Sequence, residues 1–439
     1  MSRRVHIAGA GLAGAEAAWQ VVQMGCEAVI HEMRPSVTSP AHRTGNFAEL
    51  VCSNSFKSKV MPSASALLKE ELSRLGSLIM SCAMGYEVPA GQALAVDRNG
   101  FSSCITQILS RHHRVTVIEE EVTAIPEPNG EPWIIASGPL TSDPLAEALK
   151  AYTGEEYLHF FDAVAPIVTM ESLDLDKVFK ASRYDKGDAD YLNCPLDASE
   201  YYHFVEELLQ AECHPLRDFE TTGFFEGCIP VEEMARRGAE TLAFGPLKPV
   251  GLNDPRSGTR PHAVVQLRRD NVGGSLYNMV GFQTNLRHGE QDRVFRLIPG
   301  LSKADFVRYG MMHRNLFINS PKLLKESLQF ACRDDLFAAG QITGVEGYIE
   351  SAASGWLAGQ NAARLVLGKE MIILPAETMM GALVYYITHA ESKFFQPMNA
   401  VFGIMPPLDE LPMKESKKQR HERLVKRSLD SLGQWMKKV

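Results

Sequence analysis

Absences set the first limits on this 439-residue chain. No run of apolar residues approaches the roughly 20 that a membrane-spanning helix needs. A strand pattern begins at Arg4-Val5-His6-Ile7, too early to leave room for a cleaved leader. The expectation is a cytoplasmic protein with no membrane partner. The eight cysteines (26, 52, 82, 104, 194, 213, 228, 332) include no CxxC and no paired Cys/His spacing, so neither a disulfide framework nor a metal site is indicated. Internal repeats and low-complexity linkers are missing too. With 45% hydrophobic and 22% charged residues, disordered and fibrous classes are excluded, and the length suits about two or three domains.

An overall excess of positive charge is also absent, since the net charge is −8. Its distribution is uneven. Lys248 to Arg314 holds 11 Lys/Arg against 5 Asp/Glu, and Lys414 to Lys438 holds 9 against 3, so the rest of the chain carries −20. Such segregation suits a protein that meets phosphates on one face, although basic loops are as often simply solvated.

What is present begins with "RRVHIAGAGLAGAEAAWQVVQMGCEAVIHEMR", which orders strand, glycine turn, helix, strand and acid. Gly9-Ala10-Gly11-Leu12-Ala13-Gly14 fits GxGxxG: Gly9 for the turn, Gly11 for approach to a pyrophosphate, Gly14 for close helix packing. The helix should run from about Leu12 to Met24 and stop at Gly25. Glu32, 18 residues after Gly14, ends the second strand where a carboxylate would accept from a ribose diol. A second glycine-rich segment follows a hydrophobic strand at Leu336–Gly344, with Gly340, Gln341 and Gly344 as its candidate contacts. It leads into the Ala/Ser/Gly-rich helix pattern "YIESAASGWLAGQNAARLVLG". A nicotinamide cofactor needs no such second approach, whereas a flavin does, so FAD is preferred over NAD. Trp133–Gly138 resembles the strand and glycine that complete such domains.

The expected fold is α/β, a Rossmann-like FAD-binding domain interrupted by an inserted α+β domain. Its boundaries are 1–168 and 323–439 for the cofactor domain and 169–322 for the insert. The prolines of 397–412 mark a loop, and a basic helix is expected beyond it.

Two thiols stand out. "FFEGCIPVEEMARRG" places Cys228 just before a helix opening with Pro230 at its first position, where unpaired N–H groups favour a thiolate. Glu226, Glu232 and Glu233 pull the other way, and on these residues alone a packed core cysteine is the favoured reading. Cys52, in "FAELVCSNSFKSK", has polar neighbours that speak against full burial.

Those segments, together with AHRTGNFAELVCSNSFKS, PAGQALAVDR, FGPLKPVGL, HRNLFINSP and AAGQITGVEGYIESAASGW, resemble the bacterial folate- and FAD-dependent tRNA (uracil-5-)-methyltransferases along nearly the whole chain. One departure is Ala15, where the family pattern has serine. The resemblance implies methylation of the T-loop uridine of tRNA to ribothymidine. The one-carbon unit would come from methylenetetrahydrofolate and the reduction from FAD recharged by NAD(P)H. It also implies Cys228 as nucleophile on uracil and Cys52 as the second functional thiol, assisting proton removal or sitting by the flavin.

That chemistry suits the residue types. Uracil C5 becomes nucleophilic only after addition at C6, a step suited to a soft thiolate. The C5 proton then needs a nearby base, and the target base must leave its stack, where Phe224 or Phe225 could support it. Arg256, Arg260, Arg268, Arg269 and Arg287 are the candidate tRNA phosphate contacts. From the fingerprint alone, a small-molecule flavin oxidoreductase or a non-catalytic RNA-binding flavoprotein would be equally open.

Overall fold

The computed structural model describes residues 3–39, 41–155, 158–185, 188–214, 229–408 and 415–439. Its main sheet has six strands in the order Gln329–Phe330, Arg333–Ala338, Trp133–Ile135, Arg4–Ala8, Glu27–Glu32 and Val115–Glu119. All neighbours are parallel except the edge pair Gln329–Phe330 and Arg333–Ala338. Val5, Ile7, Ile30, Ile134, Ile135 and Phe337 are wholly buried, as a parallel sheet covered on both faces requires.

The central strand Arg4–Ala8 feeds the helix Leu12–Gln23, which stops with Met24 as C-cap and Gly25 at φ +81°. Against it lies Tyr348–Val366, the helix whose small residues anticipated close packing. A Cβ on Gly355 would stand 2.2 Å from the Ala13 carbonyl oxygen, and one on Gly359 2.6 Å from that of Ala17. Only glycine permits this approach of two backbones.

A second, antiparallel sheet runs in the order Phe179–Ala181, Tyr191–Leu196, Ala263–Arg269, Leu276–Met279, Ile167–Thr169 and Phe306–Arg308. With the helices Ala198–Gln210 and His288–Phe295 it encloses its own core, including Leu196, Phe204, Leu267, Phe282 and Phe295. Leu158–Val164 and Met311–Phe317 pair as an antiparallel ribbon between the two units. The second core runs from Ala165 to Phe306, while Phe317 and Ile318 already belong to the first. The passage between units therefore falls on the ribbon, a few residues before the expected 168/169 and 322/323 boundaries.

The basic helix expected near the C-terminus is Lys417–Met436, seated by Leu424 and Leu432. Glu71, buried, ties this region together. It accepts from the N–H groups of Met379 (2.7 Å) and Met380 (2.8 Å) and from the Ser428 hydroxyl.

Candidate functional site

The three fingerprint glycines do different work. Gly9 sits at φ +100°, and a Cβ there would meet the Ala136 carbonyl oxygen at 2.7 Å. A Cβ on Gly14 would lie 1.9 Å from the Gly9 oxygen, so Gly14 lets the helix sit on the turn. Around Gly11 no atom lies within 4 Å of that position. This bare backbone faces a cleft of about 1020 Å³, where the first N–H groups of helix Leu12–Gln23 lack intrahelical acceptors. Gly9, Gly11, Leu12, Ala13 and Glu32 line the cleft from one side, and Gly340, Gln341, Tyr348 and Ser351 from the other. Ala10 and Gly14 support the turn from behind: the Ala10 N–H donates to Glu32 at 2.7 Å.

Glu32 is buried at the end of its strand. It also accepts from the Arg34 N–H (3.0 Å) and Nε (2.8 Å). Burial alone would raise its pKa, but the Arg34 guanidinium and the two backbone donors outweigh this and hold it below the ordinary carboxylate range. Beside it, burial and then Arg34 push His42, which also lines the cleft, down to about 4, so its imidazole is neutral. Arg34, His42 and Glu49 escaped the sequence reading; the stretch AHRTGNFAEL that carries two of them was a signal without an assigned role.

The second glycine segment approaches the first as expected at Gly340, which has φ +84° and would place a Cβ 2.9 Å from that of Ala13. Gly344 is a correction. A Cβ there would strike the Phe395 ring at 2.4 Å, and Gly344 does not line the cleft; it allows packing rather than ligand contact. The donor set, two close-approach glycines and an anchored carboxylate along one open cleft, fits a dinucleotide.

Cys52 adjoins this cleft behind two of its lining residues, Val51 and Tyr348. Its N–H donates to the Tyr348 hydroxyl at 2.9 Å, and its neighbour Val51 lines the cleft. Three arginines grip the segment 50–54 around Cys52. Arg98 donates to the carbonyls of Leu50 (2.6 Å) and Cys52 (3.0 Å) while paired with Asp270, and Arg308 donates to that of Val51. Arg268 donates to Asn54 at 3.0 Å. Asp270, Arg268 and Arg308 belong to the inserted unit, so that unit holds the Cys52 segment directly. The contacts from the inserted unit were not visible in spacing, because Asp270, Arg268 and Arg308 lie more than 170 residues from their partners in the chain.

Arg268 is therefore the second correction. Its side chain is buried against Asn54 in the junction and has no free face for a phosphate. Arg260 is exposed; Arg256 is exposed but paired with Asp254, and Arg287 with Glu212 at 2.7 Å. Arg269 is half-buried, its guanidinium against Gly274.

Cys228, Phe224, Phe225 and Glu226 lie outside the described residues. The helix after them is Val231–Arg236 with Pro230 at its N-cap, one position earlier than expected. Glu232 is buried and accepts from the Thr284 hydroxyl (2.8 Å) and the Asn285 N–H (2.7 Å), and Glu233 pairs with Arg236. Both carboxylates thus have partners of their own. Among the described residues no group of His, Cys, Asp and Glu could hold a metal ion, and no helix is long and apolar enough to cross a membrane.

Comparison with known proteins agrees with this architecture. The family model for glucose inhibited division protein A matches residues 4–370. A methylenetetrahydrofolate--tRNA-(uracil-5-)-methyltransferase of Heliobacterium modesticaldum is 60% identical over 432 residues, covering 98% of both chains. The enzyme of that name from Enterococcus faecalis is 56% identical over 435 residues, covering 99% of both. Among solved structures, GidA of Aquifex aeolicus aligns with TM-score 0.69 at 14% identity over 99% of this chain and 75% of its own, a likeness of fold. The chain belongs to the glucose inhibited division protein A family and, within it, to the methylenetetrahydrofolate--tRNA-(uracil-5-)-methyltransferases.

Proposed function

We propose that the chain methylates C5 of the T-loop uridine of tRNA, uridine 54, with methylenetetrahydrofolate as one-carbon donor, FAD as the bound redox cofactor and NAD(P)H as its reductant. The observation that carries this reading is the meeting of both glycine approaches on one cleft, with Cys52 hydrogen-bonded to its wall residue Tyr348, in a chain 60% identical to a relative named for folate-dependent methylation of tRNA uracil at C5. When bound, the flavin would supply the hydride that turns a methylene on uracil C5 into a methyl group.

The chain's own residues have separable tasks. Gly11 and Gly340 admit a pyrophosphate and the extended remainder of the cofactor, and Glu32, held ionised by Arg34, would accept from the ribose. Cys228 would add to uracil C6, making C5 nucleophilic. Cys52, fixed by Tyr348 and Arg98, would stand at the ring end of the cleft to take up the C5 proton. Arg256, Arg260, Arg269 and Arg287 would attract the tRNA backbone toward the inserted unit. The test is purified protein with undermodified tRNA, NAD(P)H, and label in either methylenetetrahydrofolate or S-adenosylmethionine. Label must reach tRNA from folate alone; transfer from neither donor, or from S-adenosylmethionine, overturns the reading.

A further inference from the structure

Away from the glycine cleft, a second cavity of about 1160 Å³ opens between residues 400–408 and the start of the C-terminal helix. Its lining combines three kinds of group. Ala400 and Met405 make an apolar floor, both nearly buried. Phe402 and His421 form an aromatic pair with ring centroids 4.2 Å apart and a tilt of 39°. Lys417 and Arg420 are exposed cations at the rim. Burial, then Lys417 and Arg420, hold the His421 pKa below its ordinary value. Flat rings beside paired cations suit a nucleotide: one partner for the face of a base, the other for its phosphate.

The cavity is connected to the strand Ser55–Ser58, just beyond Cys52. Glu350, in the first turn of helix Tyr348–Val366, accepts from Lys57 at 3.0 Å and from the Ala400 N–H at 3.0 Å. Lys57, five residues after Cys52, also donates to Asn399 at 2.7 Å. The segment 399–402 is thus held against the strand Ser55–Ser58, which begins three residues after the second thiol. Charge points the same way, since Lys414 to Lys438 carries +6 on a chain of net −8.

We infer that the cavity is a second RNA-contact site, taking one unstacked nucleotide of the substrate tRNA with its base against Phe402 and His421 and its phosphate on Lys417 and Arg420. This rests on tRNA being the substrate. Every group in the site is distinct from those assigned to the chemistry, so its loss should weaken binding and leave turnover at saturation intact.

The test uses the flavin-loaded full chain and unmodified tRNA, with affinity measured across a range of salt. The double variant K417A/R420A should bind about tenfold more weakly at moderate salt, with a log–log salt slope shallower by about 1 to 2. F402A should lose about fivefold or more, with an unchanged slope, because base stacking carries no counterion release. Both should keep wild-type label transfer at saturating tRNA, flavin absorbance and melting temperature. Wild-type affinity and slope in both variants would overturn the inference, as would losses that follow lost flavin. If the wild-type protein binds tRNA yet draws no label from folate, the methylation reading falls while the binding comparison still decides the cavity.

Discussion

Gly11 and Gly14 sit three residues apart in one fingerprint, yet the structure gives a methyl group opposite fates at the two positions. In Gly11→Ala the new carbon meets nothing within 4 Å, and the residue has an ordinary extended backbone at φ −66°. The apoprotein should lose less than about 1 kcal/mol, the cost of a poorer N-cap. Gly14→Ala would place carbon 1.9 Å from the Gly9 oxygen, more than an ångström inside any tolerated contact, with backbone on both sides. Helix and turn must separate, at about 1–3 kcal/mol or more. Ligand binding inverts the order of causes. The space that Gly11→Ala fills is where a pyrophosphate must approach, so flavin affinity should fall at least about tenfold with the fold intact. Thermal melting of flavin-stripped protein and flavin titration by absorbance separate the two. A Gly11→Ala apoprotein that melts as early as Gly14→Ala, or that binds FAD like wild type, would refute the assignment of the cleft.

Other consequences can be checked separately. Cys52→Ser should retain flavin and fold yet slow label transfer by about 100-fold or more, the range of a lost proton acceptor; single-turnover kinetics would show it. Arg268→Ala should destabilise by about 1.5–3 kcal/mol by leaving the buried Asn54 amide oxygen without its donor, and leave the salt slope of tRNA binding unchanged, whereas Arg260→Ala should do the reverse. Burial pushes the Glu71 carboxyl up to about 7 against the pull of Ser428 and the Met379 and Met380 N–H groups. With the folded pKa above the unfolded one, the folded state binds the extra proton between about 4.5 and 7. That stabilisation is complete at the lower pH and lost as pH rises through 7. Melting temperature should therefore fall over this window in the wild type, and the difference from Glu71→Gln should vanish in slope if Glu71 is not its source.

Much of the cofactor half was legible because its constraints are local. Turn, helix and acid fall within 32 residues, and each glycine's role follows from its place in that order. The Ala/Ser/Gly composition of Tyr348–Val366 likewise announced a close backbone contact, which Gly355 and Gly359 make. Gly344 misled because a positive φ, here +86°, reads the same from sequence whether it serves a ligand or a neighbouring Phe395 ring. Arg268 misled for a related reason. Composition counts charges but does not tell which face of a strand they occupy, and the sheet register turns Arg268 toward Asn54. The clamp of Arg98, Asp270 and Arg308 on the Cys52 segment joins parts of the chain far apart in sequence, where no spacing rule reaches.

The central claim is tested most directly by following the one-carbon unit to its destination. Undermodified tRNA is incubated with the flavin-loaded chain, NAD(P)H and isotopically labelled methylenetetrahydrofolate, then digested and analysed by mass spectrometry. The account predicts one labelled methyl group, on the T-loop uridine, with none when Cys228 is replaced by Ala. Label at another nucleotide, label undiminished in Cys228→Ala, or unlabelled tRNA from an active flavin-reducing preparation would contradict it.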